Sequence, residues 1–189
     1  MFLVLGLGNP GPQYHFTRHN IGFLAADFIA EKHGLSLKQH DCRALYGAGK
    51  VNGIPVLLAK PMTYMNESGL AAKALLNKFN IPLEKLVVLH DEIDLPFGKI
   101  KLKQSGGDAG QKGVRSIIQR LAENRFTRIR LGVGRPPHRD DIADYVLSPF
   151  EDGETDTLNE VIEQAASKLE SALKELDQPS NQTEESSGC

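Results

Sequence analysis

Two short polar clusters sit where apolar segments begin or end, and their side chains are of the kinds that move protons. Thr17-Arg18-His19-Asn20 lies just before a run with helical spacing, and His90-Asp91-Glu92 follows the apolar run LVVL. Loops that leave the ends of strands are where sites gather in α/β proteins, and both clusters are expected at such edges. His19 and Asp91 can then approach each other across the edge of a sheet. A neutral imidazole held by a carboxylate is a general base near pH 7, because the carboxylate fixes its tautomer and stabilises its charged form. The same residues also suit a helix-capping His and a turn-forming Asp, and spacing alone does not separate the two roles. His90 adjoins Asp91, so on a strand it faces the opposite way.

Asn9 in GLGNPG and Asn66 in PMTYMNESG come from two further loops. Their amides suit a substrate carbonyl or a developing negative charge. Asn66 also suits a helix N-cap, since Asn66-Glu67-Ser68-Gly69 opens a helical pattern. No serine or cysteine carries a nucleophile motif, and Cys42 reads as a small structural residue. His15, His33, His40 and His138 are expected at the surface. No set of His, Cys and Asp has metal-ligand spacing, so neither a metal nor another cofactor is expected. This inventory fits a hydrolase that uses water.

Gly6-Leu7-Gly8-Asn9-Pro10-Gly11 follows an apolar run and matches G-x-G-x-x-G. A dinucleotide loop opens at once into a helix whose N-terminus holds pyrophosphate. Here the chain continues Gly11-Pro12-Gln13-Tyr14-His15-Phe16, without helical period. The next strand ends in Lys50-Val51-Asn52, without the acid that would hold a ribose hydroxyl. A nicotinamide-dependent oxidoreductase is therefore disfavoured.

The elements that must position these groups follow from periodicity and punctuation. Strands are expected at 2–6, 43–51, 54–60, 86–90, 99–104 and 127–134, with Asn52-Gly53 as a hairpin turn and Pro61 as a breaker. Helices are expected from about 20 to Gly34, over 67–79, near 113–122 and near 152–176. Segment 99–104 alternates charged and apolar residues as a half-exposed strand would, and 127–134 places its arginines on one face. Interleaved strands and helices with one hairpin predict a single-domain α/β sandwich, its twisted mixed β-sheet flanked by helices, over 1–177. The polar stretch 178–189 is expected to be a disordered tail.

The chain has 189 residues, 40% apolar and 24% charged, which is ordinary for one soluble globular domain. No apolar run approaches the roughly 20 residues of a membrane span, and the start lacks the basic flank of a signal peptide. Two cysteines, Cys42 and Cys189, cannot build a disulfide framework or a four-cysteine zinc site. The formal charge of −2 hides a strong asymmetry. Residues 99–139 carry eleven Lys and Arg against Asp108 and Glu123, whereas 140–189 carry fourteen acids against Lys168 and Lys174. A basic segment inside an acidic chain predicts contact with a polyanion.

Six segments in register resemble bacterial peptidyl-tRNA hydrolase: GLGNPG with Tyr14, TRHNIG, KPMTYMNESG, HDEIDLPFG, KLKQSGG and RIRLGVGRP. The resemblance spans about residues 1–176. It implies a cytoplasmic monomer that cuts the ester between a peptide and the 3′ adenosine of tRNA, recycling peptidyl-tRNA from stalled ribosomes. It implies that His19 activates water, that Asp91 orients His19, and that Asn9 separates blocked from unblocked aminoacyl-tRNA. Asn66 is implied to hold the peptide carbonyl next to the ester, with Tyr14, Tyr64 and Met65 lining the 3′-end site. Lys103, Arg130 and Arg139 are implied to clamp tRNA phosphates. One departure stands out. The family's loop usually reads Gly-Gly-x-x-Gly-His-Asn-Gly, and here it ends Gly110-Gln111-Lys112-Gly113. Lys112 donates but cannot accept a hydrogen bond, so altered substrate binding with retained chemistry is expected. The same departure leaves open a non-catalytic RNA-binding relative of the same fold.

Overall fold

Alternation along the central strands commits each residue to one of two layers. In the computed structural model, which describes residues 1–179, seven strands form one mixed sheet in the order β2-β3-β4-β1-β5-β7-β6. Phe2 and Val4 of β1 (Phe2–Gly6) share a face with Val56 and Leu58 of β4 (Ile54–Pro61), with Val87 and Leu89 of β5 (Leu86–Glu92), and with Ile129 and Leu131 of β7 (Thr127–Gly132). Helices α1 (Ile21–His33) and α5 (Thr155–Leu176) cover that face. The intervening residues Leu3, Leu5, Leu57, Leu86 and Val88 pack instead under α2 (Ser68–Lys78) and α3 (Lys112–Leu121). A strand buried on both sides reads as an unbroken apolar run, as β1 and β5 do.

Strands β1, β4, β5 and β7 are parallel, while β3 (Ala44–Val51) and β6 (Ile100–Lys103) run antiparallel to their neighbours. β3 and β4 meet at Asn52-Gly53, where both residues have positive φ (49° and 84°), as the expected tight hairpin requires. One strand and one α-helix were not expected. A three-residue edge strand, β2 (Gln39–Asp41), pairs with β3, and a short helix, α4 (Ile142–Val146), precedes α5. Both are too short to show a period. β5 extends beyond the expected 86–90 to include Asp91 and Glu92, because β7 pairs with it through Gly132. The expected tail at 178–189 lies, from residue 180 onward, outside the described residues.

The tightest joint of the fold is the crossing of α1 over β1 and β5. A Cβ added at Gly22 would lie 2.5 Å from the Leu89 carbonyl oxygen and 2.6 Å from that of Leu7, and one at Gly6 would strike the Gly22 carbonyl. The turn carrying His19 leads directly into this joint. Gly22→Ala should therefore destabilise the protein by about 1–3 kcal/mol, since backbone cannot yield as a flexible side chain would. Urea unfolding followed by circular dichroism measures it, and an unchanged midpoint would mean that α1 is free to lift.

Candidate active site

The chain leaves β1 toward α1 on one face of the sheet and leaves β4 toward α2 on the other. The loops after these neighbouring strands therefore diverge, and a crevice opens at their C-terminal edge. A cavity of about 500 Å³ occupies it, lined by Asn9, His19, Asn66, Asp91 and Gln111, with Val146 on the wall formed by α4.

His19 sits on a 3-10 turn, Arg18–Asn20, anchored on both sides. The Thr17 hydroxyl donates to the Tyr14 carbonyl at 2.8 Å. The buried Arg18 guanidinium donates to the Ser148 hydroxyl (2.6 Å), the Pro149 carbonyl (2.7 Å) and Glu154 (2.6 Å), and lies over the Tyr145 ring. With the backbone so held, His19 Nδ1 reaches Asp91 Oδ2 at 2.8 Å. Asp91 Oδ1 accepts from Gln111 Nε2 at 2.9 Å, so both oxygens of a carboxylate only 2% exposed are occupied. A proton on Nδ1 facing Asp91 leaves the Nε2 lone pair of neutral His19 available to the cavity.

Burial opposes charge on His19, yet the charge and hydrogen bond of Asp91 outweigh it, and the imidazole pKa is raised above 6.5, with Lys112 pulling weakly the other way. Burial likewise resists ionisation of Asp91, but His19, the Gln111 amide and His90 together hold it below the ordinary carboxylate value. His90 points to the other face, is fully buried, and bonds the Asp91 carbonyl through Nδ1. Burial lowers its pKa, so it is no rival base.

Asn9 is braced through its backbone by the Asn20 side chain at 2.8 and 2.9 Å. Its Oδ1 accepts from the Met65 amide at 2.7 Å. Because an N–H must meet the oxygen, the amide orientation is fixed and Nδ2 remains as the free donor. Met65 thus joins the loop after β4 to the loop after β1. Asn66 and Tyr64 are exposed at the rim. Asn66 is not an N-cap: α2 begins after Glu67, and Ser68 bonds the Met65 carbonyl instead. Tyr14 does not line the cavity; its carbonyl shapes the turn before His19.

Register sets the charged face. Lys101 faces Arg130 and Lys103 faces Arg128 across β6 and β7, all on the side away from α5. Their availability differs from what charge counting implies. Arg128 is 1% exposed and spends its donors on the carbonyls of Gly106, Gly107 and Asn124. Arg130 pairs with buried Glu92 at 2.8 Å, and Arg115, Arg125 and Arg135 pair with Asp108, Glu123 and Asp94. Lys99, Lys101, Lys103, Lys112, Arg120 and Arg139 have no ion-pair partner among the described residues. Arg139 alone of the expected clamp lines the cavity.

Sequence reasoning named Gln111, Asn20, Arg18 and Glu92 but gave none of them an individual role. A position just ahead of a helix was the available signal for Gln111, but Gln is not a favoured cap residue. The other three act through long-range contacts that no local spacing announces.

The chain is similar to known proteins over nearly its whole length. The family described as peptidyl-tRNA hydrolase matches residues 3–188. A peptidyl-tRNA hydrolase of Mycolicibacterium gilvum is 46% identical over 182 residues, covering 96% of this chain and 95% of that one. One from an Exiguobacterium species is 44% identical over 165 residues, covering 87% and 89%. The crystal structure of peptidyl-tRNA hydrolase from Acinetobacter baumannii superposes with a TM-score of 0.88 at 35% identity, covering 93% of this chain and 89% of that one.

The raised His19 pKa gives the pair a defined pH signature. Its contribution to stability is full below about 6.5 and fades as pH rises through the folded value. NMR titration of His19 should give a pKa above 6.5. In Asp91→Asn, burial and Lys112 remain and both disfavour the cation, so the value should fall below 6.5. An unmoved titration would dissolve the pairing.

Proposed function

The chain belongs to the peptidyl-tRNA hydrolase family, and from that premise we propose that His19 is the base with which it hydrolyses peptidyl-tRNA. One observation carries this reading: Nδ1 is held by Asp91 while Nε2 stays free in the cavity.

The substrate ester joins the peptide's terminal carbonyl to a ribose oxygen of the tRNA 3′ adenosine. A water on His19 Nε2 gives up a proton as its oxygen attacks that carbonyl. The imidazolium so formed is stabilised by Asp91, and the free Nδ2 donor of Asn9 is placed for the oxygen that becomes negative. Collapse of the tetrahedral species breaks the ester bond, and the proton on Nε2 passes to the leaving ribose oxygen. Peptide acid and free tRNA result. An ester is already an activated acyl compound, so a positioned water, a base and donors suffice for these steps.

Asn66, Tyr64 and Met65 stand where the 3′ end and the adjoining peptide carbonyl would lie, and Arg139 stands at the rim beside them. Lys103, with its neighbours on β6, suits the phosphates farther along the acceptor stem. Arg130 is engaged with Glu92, so it serves a phosphate only by sharing that carboxylate. The reading includes residues 1–177 as the catalytic domain, acting as a monomer in the cytoplasm. Among the described residues no helix is long and apolar enough to cross a membrane.

Release of N-acetylated aminoacyl groups from tRNA tests the reading, with unblocked aminoacyl-tRNA as control. Fast release of the blocked substrate alone is expected, and His19→Ala should lower kcat by about 10²–10⁴-fold while tRNA binding persists. Tight binding without release would instead make this chain an RNA-binding relative. Lys103→Ala should raise KM and reduce the slope of log affinity against log salt by about one. An unchanged slope would place the phosphate contact elsewhere.

A further inference from the structure

Where the family's Gly-rich loop usually carries His, this chain carries Gln111, and we propose that Gln111 is a positioning residue that locks Asp91 onto His19. The proposal rests on the reading of His19 as base.

The two ends of the Gln111 amide have different tasks, and one fixes the other. Oε1 accepts from the Val114 amide at 2.7 Å, capping α3. With the oxygen so engaged, Nε2 is the end that faces Asp91 Oδ1 at 2.9 Å and Met65 Sδ at 3.2 Å. The residue is 6% exposed, so water does not readily replace these bonds. The loop has no slack either: a Cβ added at neighbouring Gly113 would lie 2.6 Å from Met65 Sδ and 3.0 Å from Gln111 Oε1. Without this donor, Asp91 Oδ1 is a buried acceptor lacking a partner, and the carboxylate is free to turn away from His19. Met65 in turn holds Asn9, so one amide touches the supports of both the base and the oxyanion donor.

An amide also differs from an imidazole in holding no exchangeable charge. His19 titrates against Asp91 in a setting where the second ligand of Asp91 is neutral at every working pH. The other charged groups around the pair are Lys112 at the start of α3, His90 and Glu92 beside Asp91 on β5, and Arg139 and Asp140 across the cavity. His90 is kept uncharged by burial. The acid limb of the rate profile should therefore be a single one-proton step belonging to His19.

Two variants separate positioning from helix capping. Gln111→Leu removes both functions, whereas Gln111→Glu keeps an acceptor for the Val114 amide and replaces the donor with an anion. Profiles of kcat and kcat/KM against pH, with thermal unfolding alongside, provide the readout. Gln111→Leu should lower kcat about 10- to 100-fold with KM unchanged. Gln111→Glu should move the acid limb to higher pH, because a second carboxylate beside the pair favours the imidazolium. If both variants keep kcat and the position of the limb while only the unfolding midpoint falls, Gln111 is a helix cap and the proposal fails. Should Gln111→Leu not fold, the limb of Gln111→Glu decides alone. His19→Ala is the separate control: an acid limb that survives in it overturns the His19 reading, whatever the Gln111 variants show.

Discussion

A carboxylate shut away from water is the constraint on which the site turns. Asp91 is 2% exposed, and an ionised group in such a place must have partners for both oxygens. It takes one from the turn before α1 and one from the residue before α3. Those two helices lie on opposite faces of the sheet. The charge therefore ties the two layers together at one point and defines the floor of the cavity. The direction of both pKa shifts runs against that burial and comes from the pairing, since the attraction of each ion for the other, with the Gln111 amide on Asp91, outweighs the desolvation.

The packing around that point supplies the precision. Gly22 and Gly6 let α1 rest on the backbone of β1 and β5, so the turn bearing His19 is set by backbone contact. Arg18 fixes the other side of the turn by reaching the segment between α4 and α5, which is remote in sequence. A general base needs its geometry before its pKa. Here adjacent residues divide the labour: Arg18 holds the backbone and His19 is left to face the cavity.

Elements were legible from sequence where a period persisted or a turn had obligatory chemistry. β1, the Asn52-Gly53 hairpin, α1 ending at Gly34 and α5 are of this kind. β2 and α4 were hidden because three and five residues cannot show a period. The approach of His19 to Asp91 was legible because both follow from where strands end. Asn66 suited a carbonyl ligand and a helix cap equally by local chemistry, and the fold removes the second role by placing it within the 3-10 turn Met65–Glu67 ahead of α2. Gln111 was read only as part of a departure from the family's loop, with the expected effect assigned to Lys112. Its contribution is visible only when Asp91, twenty positions earlier, is brought beneath it. The free charge of the basic segment was overcounted for a related reason: sequence records charge, and only the fold shows which charges are already spent on a carboxylate or a carbonyl.

The corrected set of cations has a consequence for how the two ends of the chain's charge coexist. Period two along β6 turns Leu102 and Ile100 toward the face covered by α5 and sends Lys101 and Lys103 to the other. α5 carries exposed Glu160, Glu163 and Glu175 on its outer side, so helix and sheet lie between these acids and the lysines. A helix and a sheet stacked together are more than about 10 Å thick, a distance beyond the Debye length at physiological salt. These acids of α5 therefore do not cancel the basic face. They make the α5 face unattractive to a polyanion and leave the field of the β6 lysines and Lys112 on the other face, while at the cavity rim Asp140 offsets part of the charge of Arg139.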